Sequence, residues 1–116
     1  PQDVPAPVMH QYTGAYLARE QFQIDDEEIV DAIRYHTSAR AGMSTLEKLI
    51  YLADMLEDGR DFEGVNDLRK LFWQDLDECL FHALSAQEAY LKETNKPVYP
   101  LTHEALLWIS DVIKLR

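Results

Sequence analysis

The chain has 116 residues, 47% of them hydrophobic and 28% charged, the balance of an ordinary soluble globular protein with a core of useful size. The 11 basic residues against 21 acidic ones give a net charge of −10, which repels long polyanions and argues against sequence-independent duplex binding. No apolar run approaches a membrane span, no charged-then-apolar signal segment opens the chain, and the lone Cys79 excludes a disulfide framework and fits a reducing cytoplasm.

The chain opens on Pro1-Gln2-Asp3-Val4-Pro5-Ala6-Pro7 without a methionine, so residues 1–6 are expected to be a linker and the whole a trimmed chain or a part of something longer. Beyond it the periodicity is helical throughout, with one domain expected over 1–116. A first helix is predicted from about Pro7 to Phe22, burying Gly14, Ala15, Leu17, Ala18 and Phe22. A second starts at Asp25, which has capping-box spacing to Glu28 and a staple between Ile24 and Ile29, and it carries Ile29, Ala32 and Ile33 toward His36. Ser44, three before Glu47, caps a third helix whose apolar stripe is Leu46, Leu49, Ile50, Ala53 and Leu56. Gly59 and Gly64 bracket a loop, a short helix follows through Leu68, Leu71 and Phe72, and a longer one spans about Asp75 to Lys92. Pro97 and Pro100 break the chain before a last helix, capped by Thr102 and ending at Leu115.

Three polar residues interrupt these stripes. His10 lies four before Gly14 and seven before Leu17, His36 three after Ile33, and Asp54 four after Ile50. A carboxylate is costly to bury unless paired or metal-bound, and two imidazoles with a carboxylate suit a divalent cation. Taken singly, each residue has a plainer account. A histidine on an apolar face is more often a satisfied core residue than a ligand, and Asp54 has Arg34 and Arg60 as ion-pair partners in reach of its helix. His82 and His103 are expected at the surface or in packing, and Trp73 and Trp108 in the core. The tyrosines, among them Tyr12 and Tyr51, read as core and rim, Cys79 as a packed thiol, and the acids 25–28 as a helix start.

The run of blocks is more specific than its parts. His10-Gln11-Tyr12-Thr13-Gly14-Ala15 is followed by Ala32-Ile33-Arg34-Tyr35-His36-Thr37, then by Met43 to Lys48 leading into Ile50-Tyr51-Leu52-Ala53-Asp54, then by Glu57-Asp58-Gly59-Arg60 and Leu68-Arg69. In this order and spacing the chain resembles the later two-thirds of the YqeK-type HD-domain hydrolases. That resemblance implies an all-α, HD-type helical array. It also implies a phosphohydrolase of class 3.6.1 that splits diadenosine tetraphosphate symmetrically into two ADP. The implied centre holds two divalent metal ions, with iron favoured and manganese or another divalent ion as the alternative. It makes His10, His36 and Asp54 metal ligands, with Asp54 at the catalytic centre, and gives Arg60, Arg69 and, more weakly, Arg40 to the polyphosphate oxygens. Surface ion pairing is the competing account for all three arginines. Tyr12 or Phe62 is a candidate for stacking a base.

The family also carries, upstream, a further histidine and an adjacent His-Asp pair, and neither occurs in this sequence. The expectation is therefore an HD domain without its N-terminal helices, acting on a dinucleoside polyphosphate or nucleotide when whole. The alternative is a catalytically incomplete helical module whose open face pairs with a second copy or with the N-terminal segment.

Overall fold

The structure, a computed structural model, describes Gln11, Ala15, Tyr16, Arg19, Glu20 and residues 26–116. Those first five are helical or lie within a helix, in the stretch where the first helix is predicted. Residues 1–6, His10, Tyr12, Ile24 and Asp25, all named above, lie outside the described residues. Among the described residues the molecule is all-helical: α1 (Glu27–Tyr35), α2 (Thr45–Met55), α3 (Val65–Gln74), α4 (Leu76–Glu93) and α5 (Pro100–Leu115).

The helix ends have local causes. Asp26, not Asp25, caps α1, its carboxylate accepting from the backbone N–H of Glu28 and Ile29 at 2.9 and 3.3 Å. Glu27 and Glu28 then occupy the first turn and Arg34 the last, each sign matching the helix dipole. Ser44 caps α2 through the Glu47 N–H, and Asp75 caps α4 through the Glu78 N–H, both at 3.2 Å. Gly64 enters α3 at a φ of 87°, a left-handed conformation that L side chains rarely adopt. The last helix begins three residues earlier than the sequence suggests, with Tyr99 and not Thr102 at the cap position. Pro100 takes its first turn, where a missing N–H costs nothing, and Thr102 lies inside it.

One apolar core joins four of the helices. It contains Tyr51, Leu52 and Leu56 from α2, Val65 and Leu68 from α3, Cys79, Leu80 and Leu84 from α4, and Ala105 and Ile109 from α5. Helix α4 packs against α2, α3 and α5, while α1 lies against α2. Cys79 is the packed thiol expected: burial pushes it up to about 11 and its Sγ meets the Leu68 carbonyl at 3.4 Å.

Two stripe assignments differ. Helix α2 buries Glu47, Tyr51 and Leu52, whereas Leu49, Ile50 and Ala53 are exposed. A helix with apolar residues around most of its circumference leaves its orientation to its neighbours, and α4 sits on the Tyr51–Leu52 side. Likewise α1 buries Val30 and Ala32 and leaves Ile29 exposed. Trp73 is not core. It is 83% exposed, on the side of α3 away from the buried Val65 and Leu68.

Candidate active site

The loop between α1 and α2 carries His36 and is held by polar groups. His36 closes α1, and its Nδ1 lies 2.6 Å from the Ile33 carbonyl. A carbonyl only accepts, so Nδ1 is the donor in this contact, the backbone tether that metal-ligating histidines commonly make through the ring nitrogen that does not ligate. The next two residues are tied to the segment that bears His10. The buried Gln11 accepts from the N–H of Thr37 and Ser38 at 2.8 and 3.0 Å and donates to the Ser38 hydroxyl at 2.8 Å. Thr102 completes the knot by donating to the Ser38 carbonyl at 2.7 Å. The chain position after His10 is thus bonded to the position after His36. Pattern reading missed Gln11, because a glutamine beside a histidine carries no periodic signal.

Asp54 stands near the end of α2, on the outer face with Ala53; its side chain is 52% exposed, not at the inner edge of the apolar stripe. Arg60 reaches it at 3.7 Å and reaches Glu57 at 3.5 Å. Of the two ion-pair partners considered for Asp54, Arg60 is the one in place, whereas Arg34 pairs with Asp31 at 3.2 Å. One turn before Asp54, burial first and the Asp54 charge second push the Tyr51 hydroxyl above its ordinary range. It stays protonated and donates to Gln87 at 2.7 Å.

The other two arginines are engaged with the protein. Arg69 donates to the carbonyls of Leu56, Glu57 and Arg60 at 3.0, 2.8 and 2.7 Å and to the Asn66 side chain at 3.0 Å. It closes the 56–60 turn that presents Arg60. Arg40 donates to both Glu47 oxygens at 2.8 and 2.5 Å and to Asp31 at 3.4 Å, and lies 4.4 Å over the Tyr35 ring. The Glu47 bond, against a smaller opposing effect of burial, raises the Arg40 guanidinium further above its already high range. Glu47 itself is only 3% exposed, and Arg40 is the cation that compensates its burial.

His82 and His103 are both about half exposed and pair with Glu78 and Glu88 at 3.3 and 3.0 Å, in keeping with a surface role. Among the described residues no three His, Cys, Asp or Glu side chains group together to hold a metal ion. His36 and Asp54 are donors of the right chemistry for a divalent cation, but the described residues do not assemble them with a third.

Comparison with known proteins supplies the family. The chain is 44% identical over 100 residues to the symmetrical bis(5'-nucleosyl)-tetraphosphatase of Bacillus subtilis, an alignment covering 86% of this chain and 54% of that one. The chain is a relative of the YqeK-type HD-domain hydrolases. The enzyme of the same description from Halalkalibacterium halodurans is 41% identical over 95 residues, covering 82% of this chain and 51% of the relative. A crystal structure described as a predicted HD superfamily hydrolase involved in NAD metabolism, from Clostridium acetobutylicum, superposes with a TM-score of 0.85 at 36% identity, over 89% of this chain and 55% of that one. No family model matches. The chain spans about half the length of these relatives, a smaller share than the two-thirds suggested by the motifs. The helical HD-type fold is shared, and no helix among the described residues is long and apolar enough to cross a membrane.

Proposed function

We propose that the protein carrying this chain is a metal-dependent phosphohydrolase that splits diadenosine tetraphosphate symmetrically into two ADP. The observation that supports it most is the 44% identity to a symmetrical tetraphosphatase across 86% of the chain, including the blocks that carry His36, Asp54 and Arg60. His10, His36 and Asp54 would hold the divalent cations, iron by resemblance and manganese as the alternative. Such ions supply charge neutralisation at a phosphate and an activated water. The residues of the chain then divide the work. Asp54 contributes the anionic ligand, its half-exposed carboxylate in a long contact with Arg60. The Arg60 guanidinium faces the phosphate oxygens and offsets local negative charge in a protein of net −10. Arg69 and Arg40 serve the same substrate indirectly. One shapes the turn under Arg60, and the other fixes the loop after His36.

The test is product analysis with diadenosine tetraphosphate and added divalent metal. Two ADP per substrate is expected, while ATP plus AMP, or no turnover, would overturn the reading. Asp54→Ala is expected to abolish metal retention, measured by elemental analysis, and to leave the helical circular dichroism unchanged. Full metal occupancy in that variant would count equally against it.

A second reading, a helical module that pairs through an open apolar face, is supported by the exposure of Ile29, Leu49 and Ile50 on α1 and α2. It predicts a dimer by light scattering at micromolar concentration, and a monodisperse monomer would remove it.

A further inference from the structure

The two histidines proposed as metal ligands are 26 residues apart in the chain, and a cation binds tightly only where the protein already holds its ligands in place. The His36 ring is tethered within its own helix, by the Ile33 carbonyl. The backbone that follows it is held from far away. Gln11, the residue after His10, is fully buried, and its amide oxygen accepts from the N–H of Thr37 and of Ser38 at 2.8 and 3.0 Å. Its NH₂ donates to the Ser38 hydroxyl at 2.8 Å, and that hydroxyl donates in turn to the Ala39 carbonyl at 2.9 Å. One side chain thus grips two consecutive residues of the loop with three bonds. Apolar packing would let the two segments slide past each other, whereas paired bonds to successive N–H groups admit one register.

The loop requires such a grip. Ala39 is fully buried at a φ of 62°, the left-handed region that a residue with a Cβ rarely adopts and that persists only where its surroundings enforce it. Thr102 adds a brace from α5 through the Ser38 carbonyl at 2.7 Å. We propose that Gln11 is a positioning residue for the metal centre: through Thr37 and Ser38 it fixes the loop that bears His36 against the segment that bears His10, before any cation binds. The assignment rests on the metal-dependent hydrolase reading for the role of the two histidines. Gln11 acts through the loop and ligates nothing itself.

The experiment is calorimetric titration of manganese(II) into the metal-free intact protein. The variants are Gln11→Met, which keeps length and bulk but deletes all three bonds, Gln11→Ala, and Ile109→Val as a core change remote from the loop. Both Gln11 variants are expected to weaken manganese binding by about tenfold to a hundredfold, the usual effect of losing a group that orients a ligand. Their helical circular dichroism should be unchanged, and amide exchange at Thr37 and Ser38 should be faster even without metal. Ile109→Val should lower the unfolding midpoint and leave manganese affinity alone. In a His36→Ala background, Gln11→Met should add little further loss, because the ligand it positions is gone. Wild-type manganese affinity in both Gln11 variants, an equal loss in Ile109→Val, full additivity with His36→Ala, or no manganese binding by the wild type would each overturn the role. If manganese binding responds as described but diadenosine tetraphosphate is not cleaved, the positioning role stands and the hydrolase reading falls. Unaltered manganese affinity in Gln11 variants of an active enzyme gives the reverse.

Discussion

The two sides of the molecule are held by different forces. Around α4 the contacts are apolar: Leu80, Leu84 and Ile109 are fully buried and meet Leu52 and Leu68 in one cluster. Around the α1–α2 loop the ties are polar, with Gln11, Ser38 and Thr102 forming one knot and Arg40, Glu47 and Asp31 another. Non-directional packing gives stability, and hydrogen bonds fix a loop in one geometry. The residues proposed for chemistry, His36, Asp54 and Arg60, sit on the polar side or at the rim of the apolar one. The molecule is therefore expected to lose stability through α4 and to lose its site through the loop.

That contrast can be broken in graded steps. Leu84→Ala should cost the most, about 3–4 kcal/mol in chemical denaturation, because a tightly packed leucine leaves a cavity. Arg40→Ala should follow at about 2–3 kcal/mol, since it strands the buried Glu47 carboxylate, and Arg40→Lys should recover only part of that. If Arg40→Ala instead leaves the unfolding midpoint unchanged and alters only phosphate binding, the structural assignment of this arginine fails. Gln11→Ala removes the acceptor of two backbone N–H groups and should cost about 1–2 kcal/mol. Its sharper signature is faster hydrogen exchange at Thr37 and Ser38 with the α4 amides unaffected. Trp73→Ala, at an 83% exposed position, should shift stability by less than about 0.5 kcal/mol.

Acid should act on the contacts of α5. Burial pushes the Glu88 carboxyl up, but hydrogen bonds from His103 and Lys92 outweigh it and hold the group below its ordinary range. Arg116 does the same for Asp75. A depressed carboxylate adds stability that is fully present above its unfolded value and is lost as pH falls through the folded one. Stability should thus be flat above the ordinary carboxylate range and decline below it. Glu88→Gln should shallow that decline in melts taken across the acid range, and an identical acid limb in the variant would exclude this contact as its source.

Much of this was legible in the sequence. The HD-type helical fold followed from the ordered blocks, and the Ser44 cap and the packed Cys79 followed from local pattern. The site was legible only as residue types. Arg40, Arg60 and Arg69 look alike as cations, yet one is spent on Glu47, one stands beside Asp54 and one clamps three carbonyls. No spacing rule separates them, because the partners that set them apart (Glu47, Asp54 and the Leu56 carbonyl) lie 7, 6 and 13 residues away across loops. Gln87 was not legible at all, since its orientation depends on a tyrosine 36 residues earlier.

By itself, then, the sequence determined the helical class, where helices start when a side chain can cap its own turn, and the family to which the chain is related. The tertiary structure decided which face of α2 is buried, that Thr102 ties α5 to the α1–α2 loop in place of capping, and which arginine stands at the carboxylate. The physical reason is range. Caps and periodicity act over three or four residues of one segment, whereas burial and ion pairing are settled by whichever other segment arrives.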